Sequence, residues 1–350
     1  MSENNKIVSL QIIRGLAAFS VLINHNCMDL YLRNHPTIFG KAELGTIGVP
    51  LFFLLSGFVL LYSITKSAKY MVNPSLFMLK RTARIVPLYW MLTGLTALLL
   101  LFLPSLFKSE HSLTLVTFIK SLFFLQREPL LGVGWTLNYE MFFYLVLFIS
   151  LLITRKFFVW VSAGLLFLCW LLGKTGINLF FFSDWLLYFL AGILIFALTE
   201  RKPKLLQKLR EGRFVLTSVN LLLLGFYFWK PVTMPLLGIG LFLSSLSIKG
   251  ESKNSILKSF TKSFIFLGEI SYSLYLSHFF SISAVDKLGL YFKLNSYLIL
   301  VLGITVSIGT AYLVYKFIEY PSMKFLYKLI DGVKKQEEIS SSANNKSVHV

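Results

Sequence analysis

The sequence predicts an all-α polytopic integral membrane protein with about ten transmembrane helices. The chain has 350 residues, of which 56% are hydrophobic and only 14% are charged, and its mean hydropathy is +0.71. Soluble domains carry a charged fraction of about 25%. Runs of about 17 to 22 apolar residues, long enough to cross a bilayer as helices, recur along the chain. These observations exclude an ordinary soluble domain.

The predicted spans are apolar runs separated by polar loops. The first run has no small-residue cleavage site, so we expect it to be retained as a helix. A semi-apolar stretch at 113–125 is predicted to be an interfacial or re-entrant helix. Residues 1–330 form the predicted transmembrane domain, and 331–350 are too polar to fold alone and are predicted to be a disordered tail. The spans lie near residues 9–29, 45–64, 85–104, 134–153, 157–173, 179–198, 214–230, 232–248, 265–284 and 296–318.

The distribution of positive charge predicts the orientation of the chain in the membrane. Lysine and arginine number 34 against 16 aspartate and glutamate residues, which gives a net charge of +18. They concentrate in the loops at 65–84, 199–213 and 249–263 and after residue 318. Because cytoplasmic loops carry the excess of Lys and Arg, we expect these loops and both termini to be cytoplasmic and the segment 105–133 to be external. Topology therefore accounts for most of the net charge, and no nucleic-acid partner is predicted.

The first predicted span carries two ionisable side chains at membrane depth, Arg14 and His25. Eleven α-helical residues make about three turns, so both side chains lie on one face, about 16 Å apart. Ionisable groups inside a membrane mark a functional site by default. A guanidinium suits a phosphate, and an imidazole suits proton transfer near neutral pH. The alternative is that Arg14 reaches to the interface and His25 only bonds a neighbouring helix.

Two further stretches contain candidate binding residues. Small residues around Ser56 in the second span allow a close approach by another helix or a slender ligand. Arg81 and Arg84 are three residues apart at the entry to the third span, so they share a helical face and can bind one phosphate together. Ordinary cytoplasmic charge is the alternative interpretation of these two arginines.

The fourth and ninth spans add a carboxylate and a second histidine. Glu140 lies about one and a half turns into the fourth span, behind Trp135, where a carboxylate usually has a partner. By the predicted topology Glu140 and His25 share the outer half of the membrane, so a pair between them is possible. The ninth span carries a predicted polar stripe that consists of Ser271, Tyr272, Ser273, Tyr275 and His278.

Other polar residues have structural interpretations. Lys316 and Glu319 are predicted to pair three residues apart on the last span, and Pro321 is predicted to stop that helix. Asp184 is predicted to be a solvated carboxylate at the start of the sixth span. Since their spacing fits neither a disulfide framework nor a metal site, the two cysteines are expected to be small core residues: Cys27 and Cys169.

Six motifs that occur in order along the chain together resemble the acyltransferase-3 membrane family, which includes O-antigen, Nod-factor and exopolysaccharide O-acetyltransferases. Each motif alone is weak, but their joint occurrence covers nearly the whole chain. They are R-x10-H in the first span, GxxGVxxFFxxSGF in the second, RxxRIxPxYW at the third, WTxxxE at the fourth, GxISYSLYLxH in the ninth and IEYP in the tenth.

The resemblance implies a bacterial inner-membrane enzyme that moves an acyl group, usually acetyl, from cytoplasmic acyl-CoA to a sugar hydroxyl. Acetyl-CoA would be a donor substrate rather than a resident cofactor, and the acceptor would be a cell-surface or lipid-linked glycan among membrane lipids. The chain is too short for the periplasmic C-terminal domain of some members, so we expect a stand-alone form. Matching motif by motif implies catalytic roles for His25 and Glu140 and acyl-CoA binding by Arg14, Arg81 and Arg84. Further site candidates are Ser56, Trp135, Tyr272 and His278.

Two questions of mechanism and function remain open from the sequence. His25 is either a general base that takes the proton of a sugar hydroxyl, with Glu140 orienting its imidazole, or a nucleophile that forms an acyl-histidine. The alternative function is a transporter or flippase for a glycan or lipid precursor, since buried ionisable residues also suit a substrate path. A membrane scaffold is a third interpretation, which those buried residues disfavour.

Overall fold

The fold is given by a computed structural model that describes residues 3–32, 47–103, 113–177, 179–201, 212, 217, 219–220, 234–246 and 255–347. Within these residues the regular structure is helical, without a strand, which confirms the all-α prediction. The span expected near 214–230 lies mostly outside them. Five of their helices are long and apolar enough to cross a membrane, so the chain is a membrane protein; ten spans remain a prediction. The five segments are Val8–Leu32, Gly48–Lys66, Pro74–Phe102, Gly132–Ile153 and Ser296–Val333.

The helices are numbered in chain order. A 3₁₀ turn at Gly132–Gly134 precedes the sixth of them, and a π-helical turn at Tyr315–Glu319 joins the last two. They are α1 (Glu3–Leu32), α2 (Gly48–Lys66), α3 (Ala68–Val72), α4 (Pro74–Phe102), α5 (Leu115–Leu122), α6 (Trp135–Ile153), α7 (Phe158–Lys174), α8 (Leu186–Arg201), α9 (Met234–Leu246), α10 (Ser255–Glu269), α11 (Ser271–Tyr291), α12 (Ser296–Val314) and α13 (Tyr320–Ser347).

Helix α1 lies in the middle of the packing. It contacts α2, α9, α10, α11 and α12, while α2 also packs on α8 and α11 packs along α12. This central position explains how an apolar helix can carry Arg14 and His25: both side chains meet protein rather than lipid. Helix α5 falls within the predicted stretch 113–125 and is capped at its start by Thr114, whose hydroxyl accepts from the backbone N–H of Thr117 at 3.1 Å.

Helix α4 begins well before the predicted start at residue 85. The Asn73 side chain accepts a hydrogen bond from the backbone N–H of Leu76 at 3.0 Å. Pro74 follows in the first turn, where its missing N–H is not needed. As a result, Arg81 and Arg84 lie inside a helix rather than in the loop that leads into it.

The predicted ninth span is two helices, α10 and α11, which meet at Ile270. A close crossing of α1 and α10 lies just before this break. A Cβ added to Gly15 would overlap the carbonyl oxygen of Phe264, and one added to Gly268 would overlap the carbonyl oxygen of Gln11. Only glycine allows two backbones to approach so closely. The crossing brings the polar face of α1 against the start of α11.

The sequence predicted that Pro321 stops the last helix, but the helix continues past this residue. Pro321 is the second residue of α13, which continues directly from the π-helical turn, so the chain stays helical past the proline. The tail expected to be disordered continues α13 as far as Ser347. Its Lys, Glu and Gln residues have good helix propensity, which the sequence reasoning underweighted against its polarity. The domain boundary at 330 stays a prediction.

The predicted pair of Lys316 and Glu319 is wrong. Lys316 Nζ lies 5.8 Å from the ring centroid of Tyr312 and 5.4 Å from that of Phe317. Glu319 points inward, is 4% exposed, and accepts a hydrogen bond from the Ser273 hydroxyl at 2.5 Å. The reason is the π-helical turn, since its wider spacing moves residues three apart away from one face.

Asp184 is a solvated carboxylate next to a helix end, as predicted. It lies just before α8 with its side chain 69% exposed. Its Oδ1 is 2.8 Å from Lys174 Nζ and accepts from Trp170 Nε1 at 2.9 Å. These hydrogen bonds from Lys174 and Trp170 hold the pKa of Asp184 below its ordinary value.

Candidate active site

Polar side chains at the start of α11 bond several neighbouring elements. The sequence predicted a stripe on one face, but these residues span about two turns and point in different directions. They therefore tie α11 to α1, α4, the 3₁₀ turn before α6 and the π-helical turn. Arg14 Nη2 donates to Ser271 Oγ at 3.0 Å, the Tyr272 phenol donates to the carbonyl of Ile85 at 2.6 Å, Ser273 donates to Glu319, and the Tyr275 phenol donates to the carbonyl of Val133 at 3.0 Å.

A cavity of about 110 Å³ lies among α1, α2, α4, α6 and α11. Apolar residues such as Phe52 and Leu137 form part of its wall. The rest of the wall is polar, which is unusual at membrane depth. The polar lining residues are Arg14, Ser56, Arg81, Arg84, Thr136, Glu140, Tyr144, Ser271, Tyr272 and Tyr275.

Three guanidinium groups face this cavity against one lining carboxylate. The structure thus brings together Arg14, Arg81 and Arg84, the three arginines singled out in the sequence. Arg81 Nη2 donates to the Ser63 hydroxyl at 3.0 Å. Since a guanidinium has five N–H donors, most donors of Arg81 and Arg14 remain for a ligand. The excess of positive charge makes the cavity suitable for an anion.

Glu140 lies in the same cavity rather than against His25. Its Oε1 accepts a hydrogen bond from the Tyr144 phenol at 2.6 Å and lies 3.4 Å from the Ser56 hydroxyl. Tyr144 is one helical turn further along α6, so it satisfies the carboxylate locally. The predicted pair with His25 is therefore replaced by a role among the arginines.

The side chain that meets His25 is His278. His25 Nδ1 lies 2.7 Å from His278 Nε2, and the ring centroids are 4.9 Å apart. His278 is 1% exposed, and its Nδ1 lies 3.0 Å from the carbonyl oxygen of Leu274. In the part of the chain that the structure describes, no group of three His, Cys, Asp or Glu residues is placed to hold a metal ion.

An aromatic boundary separates the cavity from the histidine pair. The rings of Phe52 and Tyr275, both in the cavity wall, are 5.8 Å apart, and the Tyr275 ring is 6.1 Å from that of His278. Trp135 does not line the cavity. It packs behind the wall, 5.2 Å from the Trp185 ring centroid and among other aromatic side chains.

Several residues of the site were not found by sequence reasoning. Tyr144 carried a usable signal, since it lies four residues after Glu140 on a helix and such neighbours meet. Thr136, whose hydroxyl donates to Tyr275 at 2.8 Å, carried none. Glu319 was assigned to a pair with Lys316, and the π-helical turn explains its inward direction.

Comparisons with known proteins match this chain to a family and to a relative. The family model described as "Acyltransferase domain" matches residues 7–316, a range that contains the cavity and the histidine pair. Over 264 residues the chain is 34% identical to the "Exopolysaccharide production protein ExoZ" of Rhizobium meliloti (strain 1021), and the match covers 71% of this chain and 80% of that protein. No solved structure matches the chain.

Proposed function

The chain belongs to the acyltransferase family whose model spans residues 7–316, and from this premise we propose that it moves an acetyl group from acyl-CoA to a hydroxyl of an exopolysaccharide or its lipid-linked precursor. The name of the Rhizobium relative supports that class of acceptor. The proposed setting is the bacterial inner membrane, crossed about ten times, with both termini and the donor on the cytoplasmic side.

The observation that carries this proposal is the excess of positive charge in the cavity. Three arginines and one glutamate line it at membrane depth. Buried charges without partners are costly, so such a cavity favours a polyanion that enters from water. The phosphates of CoA meet this requirement, since Arg binds phosphate through two parallel hydrogen bonds.

The proposed path of the donor follows α1. Arg81 and Arg84 lie in the first half of α4, nearer the predicted cytoplasmic side, and would hold the phosphates. Arg14 would bind the donor at the start of the path. His25 lies about 16 Å further along α1, a distance comparable to the length of a pantetheine arm. The thioester must pass the Phe52 and Tyr275 rings to reach it.

At His25 we propose general-base catalysis. The imidazole takes the proton of the acceptor hydroxyl, whose oxygen attacks the thioester carbonyl carbon. The new C–O bond forms as the C–S bond breaks, and the thiolate leaves with the electron pair and recovers the proton from the imidazolium as CoA-SH. Such a base contributes about 10² to 10⁴-fold to the rate.

Glu140 has a different place in this proposal from the one that the sequence suggested. Its carboxylate faces the arginines, accepts from Tyr144, and supplies a counter-charge that limits repulsion among the guanidiniums. It would therefore act on donor binding, and only indirectly on the histidine.

The test uses purified protein in nanodiscs with acetyl-CoA and a saccharide acceptor. Wild-type protein should release CoA-SH, measured with a thiol reagent, and form an acyl ester, measured by mass spectrometry. His25→Ala protein should be made at normal levels and lose at least about 10²-fold of the rate. A rate near wild type in His25→Ala would show that His25 is a packing residue. Transport of the saccharide without ester formation would favour a flippase instead.

A further inference from the structure

The histidine pair contains a residue to which the proposed reaction assigns no role. His278 is buried, comes from a different helix than His25, and lies at hydrogen-bonding distance from it. We propose that His278 is a positioning residue that fixes the tautomer of His25, so that the Nε2 lone pair of His25 is the base. This inference rests on the proposed function, because it specifies how His25 acts within it.

The argument begins at the backbone. The carbonyl oxygen of Leu274 can only accept a hydrogen bond, and His278 Nδ1 lies 3.0 Å from it. His278 Nδ1 must therefore carry the hydrogen. A neutral imidazole has one N–H and one lone pair, so His278 Nε2 is an acceptor.

The constraint then passes to the second ring. His25 Nδ1 lies 2.7 Å from the lone pair of His278 Nε2, and two lone pairs facing each other would repel. His25 Nδ1 therefore donates, and in the neutral pair its hydrogen lies there. The remaining nitrogen, His25 Nε2, is left with a lone pair for a substrate hydroxyl. The tautomer of a catalytic histidine is commonly fixed through its other nitrogen in this way.

Burial makes the constraint effective. With 1% of His278 exposed, water has little access to replace Leu274 or His25 as a partner. In the other tautomer of His25, Nε2 would carry a hydrogen and point an N–H at the acceptor hydroxyl. Without a lone pair at Nε2, His25 could not take the proton of that hydroxyl. His278 accordingly acts through His25 and needs no contact with either substrate.

The experiment separates the acceptor atom from the ring that carries it. His278→Leu keeps much of the volume and removes the acceptor, whereas His278→Gln can place an amide oxygen near the position of Nε2. Ser277→Ala is the matched control, since Ser277 is buried on the same helix and its hydroxyl donates to the carbonyl of Ser273 at 2.7 Å. Each is assayed in nanodiscs for kcat and for KM toward acetyl-CoA.

We expect His278→Leu to lower kcat at least about 10²-fold with KM for acetyl-CoA within about twofold, because only the base is affected. His278→Gln should recover to within about tenfold of wild type. The control should keep wild-type kinetics. The double variant His25→Ala with His278→Leu should be no slower than His25→Ala alone, since residues that act as a unit are not additive.

Several outcomes would overturn the inference. A folded His278→Gln protein as slow as His278→Leu would mean that the imidazole itself is needed, for example to relay a proton. Wild-type rates in His278→Leu would make His278 a packing residue.

A readout that is independent of activity is ¹⁵N solid-state NMR of histidine-labelled protein, with His25→Ala used to assign the signals. The expected spectrum shows hydrogen on His25 Nδ1 and none on Nε2. It can hold even if acyl transfer uses another base, so it distinguishes failure of the tautomer assignment from failure of the proposed function. Hydrogen on His25 Nε2 in the neutral wild-type pair would refute the assignment.

Discussion

Removing one guanidinium from the cavity should weaken the binding of CoA far more than removing one from the surface. Arg84→Ala is the test variant, because Arg84 lines the cavity with two other arginines and Glu140. Arg201→Ala is the matched control: Arg201 ends α8, is exposed, and lies 4.7 Å from the ring centroid of Trp160.

Two estimates agree on the size of the effect. A hydrogen bond from a charged donor is worth about 1.5 to 3 kcal/mol. Independently, unit charges about 6 Å apart interact by about 3 kcal/mol at an effective dielectric constant of about 20. Arg84→Ala should therefore raise the Kd for CoA roughly ten- to a hundredfold. Arg201→Ala should change it less than about twofold, because exposed charges are screened by water and salt.

The assay is calorimetric titration of the protein in nanodiscs with CoA and with dephospho-CoA, which lacks the 3′-phosphate. If Arg84 holds that phosphate, the loss caused by Arg84→Ala should be much smaller with dephospho-CoA. If it holds the pyrophosphate, both ligands should lose equally. Both variant proteins must elute as a single folded peak. If Arg84→Ala and Arg201→Ala then change the Kd for CoA by similar, small factors, the reasoning is refuted, and Arg84 is an ordinary cytoplasmic charge.

Three further predictions concern topology, packing and the carboxylate. In a variant without native cysteines, an impermeant thiol reagent on intact cells should label Lys120→Cys and not Lys204→Cys; the reverse pattern would invert the orientation. Gly268→Val should destabilise the protein by about 1 to 3 kcal/mol and lower its Tm, because it overpacks the crossing of α1 and α10, whereas Gly164→Val, with open space around its Cβ, should not. Glu140→Gln should lower KM for acetyl-CoA roughly two- to tenfold, because a negative charge facing the phosphates is removed. An unchanged KM with a much lower kcat would instead indicate that Glu140 acts in the catalytic step.

The sequence predicted much of the fold because membrane helices obey local rules. The apolar runs predicted where helices form. The eleven-residue spacing correctly placed Arg14 and His25 on one face of α1, since both side chains contact α11. Boundaries were less accurate. The Asn73 cap and the π-helical turn at Tyr315–Glu319 depend on backbone geometry that hydropathy does not report.

Partners between helices were the main error. Periodicity states which face a residue occupies but not which helix meets that face. Glu140 and His25 were matched because both are ionisable and share a membrane half, yet Tyr144 and His278 are the side chains that meet them. Serine and threonine contacts, such as that of Ser271 with Arg14, carry even less signal in one sequence.

The aromatic boundary formed by Phe52 and Tyr275 has a consequence for the proton-motive force across the membrane. In the proposed reaction the thioester of a cytoplasmic donor needs a route through the interior of the protein to His25, and an open route filled with water would conduct protons. We expect the rings of Phe52 and Tyr275, whose centroids are 5.8 Å apart, to interrupt a file of water molecules between the arginines and the histidines. We expect the resting protein to leave the proton-motive force intact and to admit only a thioester arm that displaces these rings. Replacing both Phe52 and Tyr275 by alanine should then make vesicles that contain the protein lose their membrane potential, and should also alter catalysis.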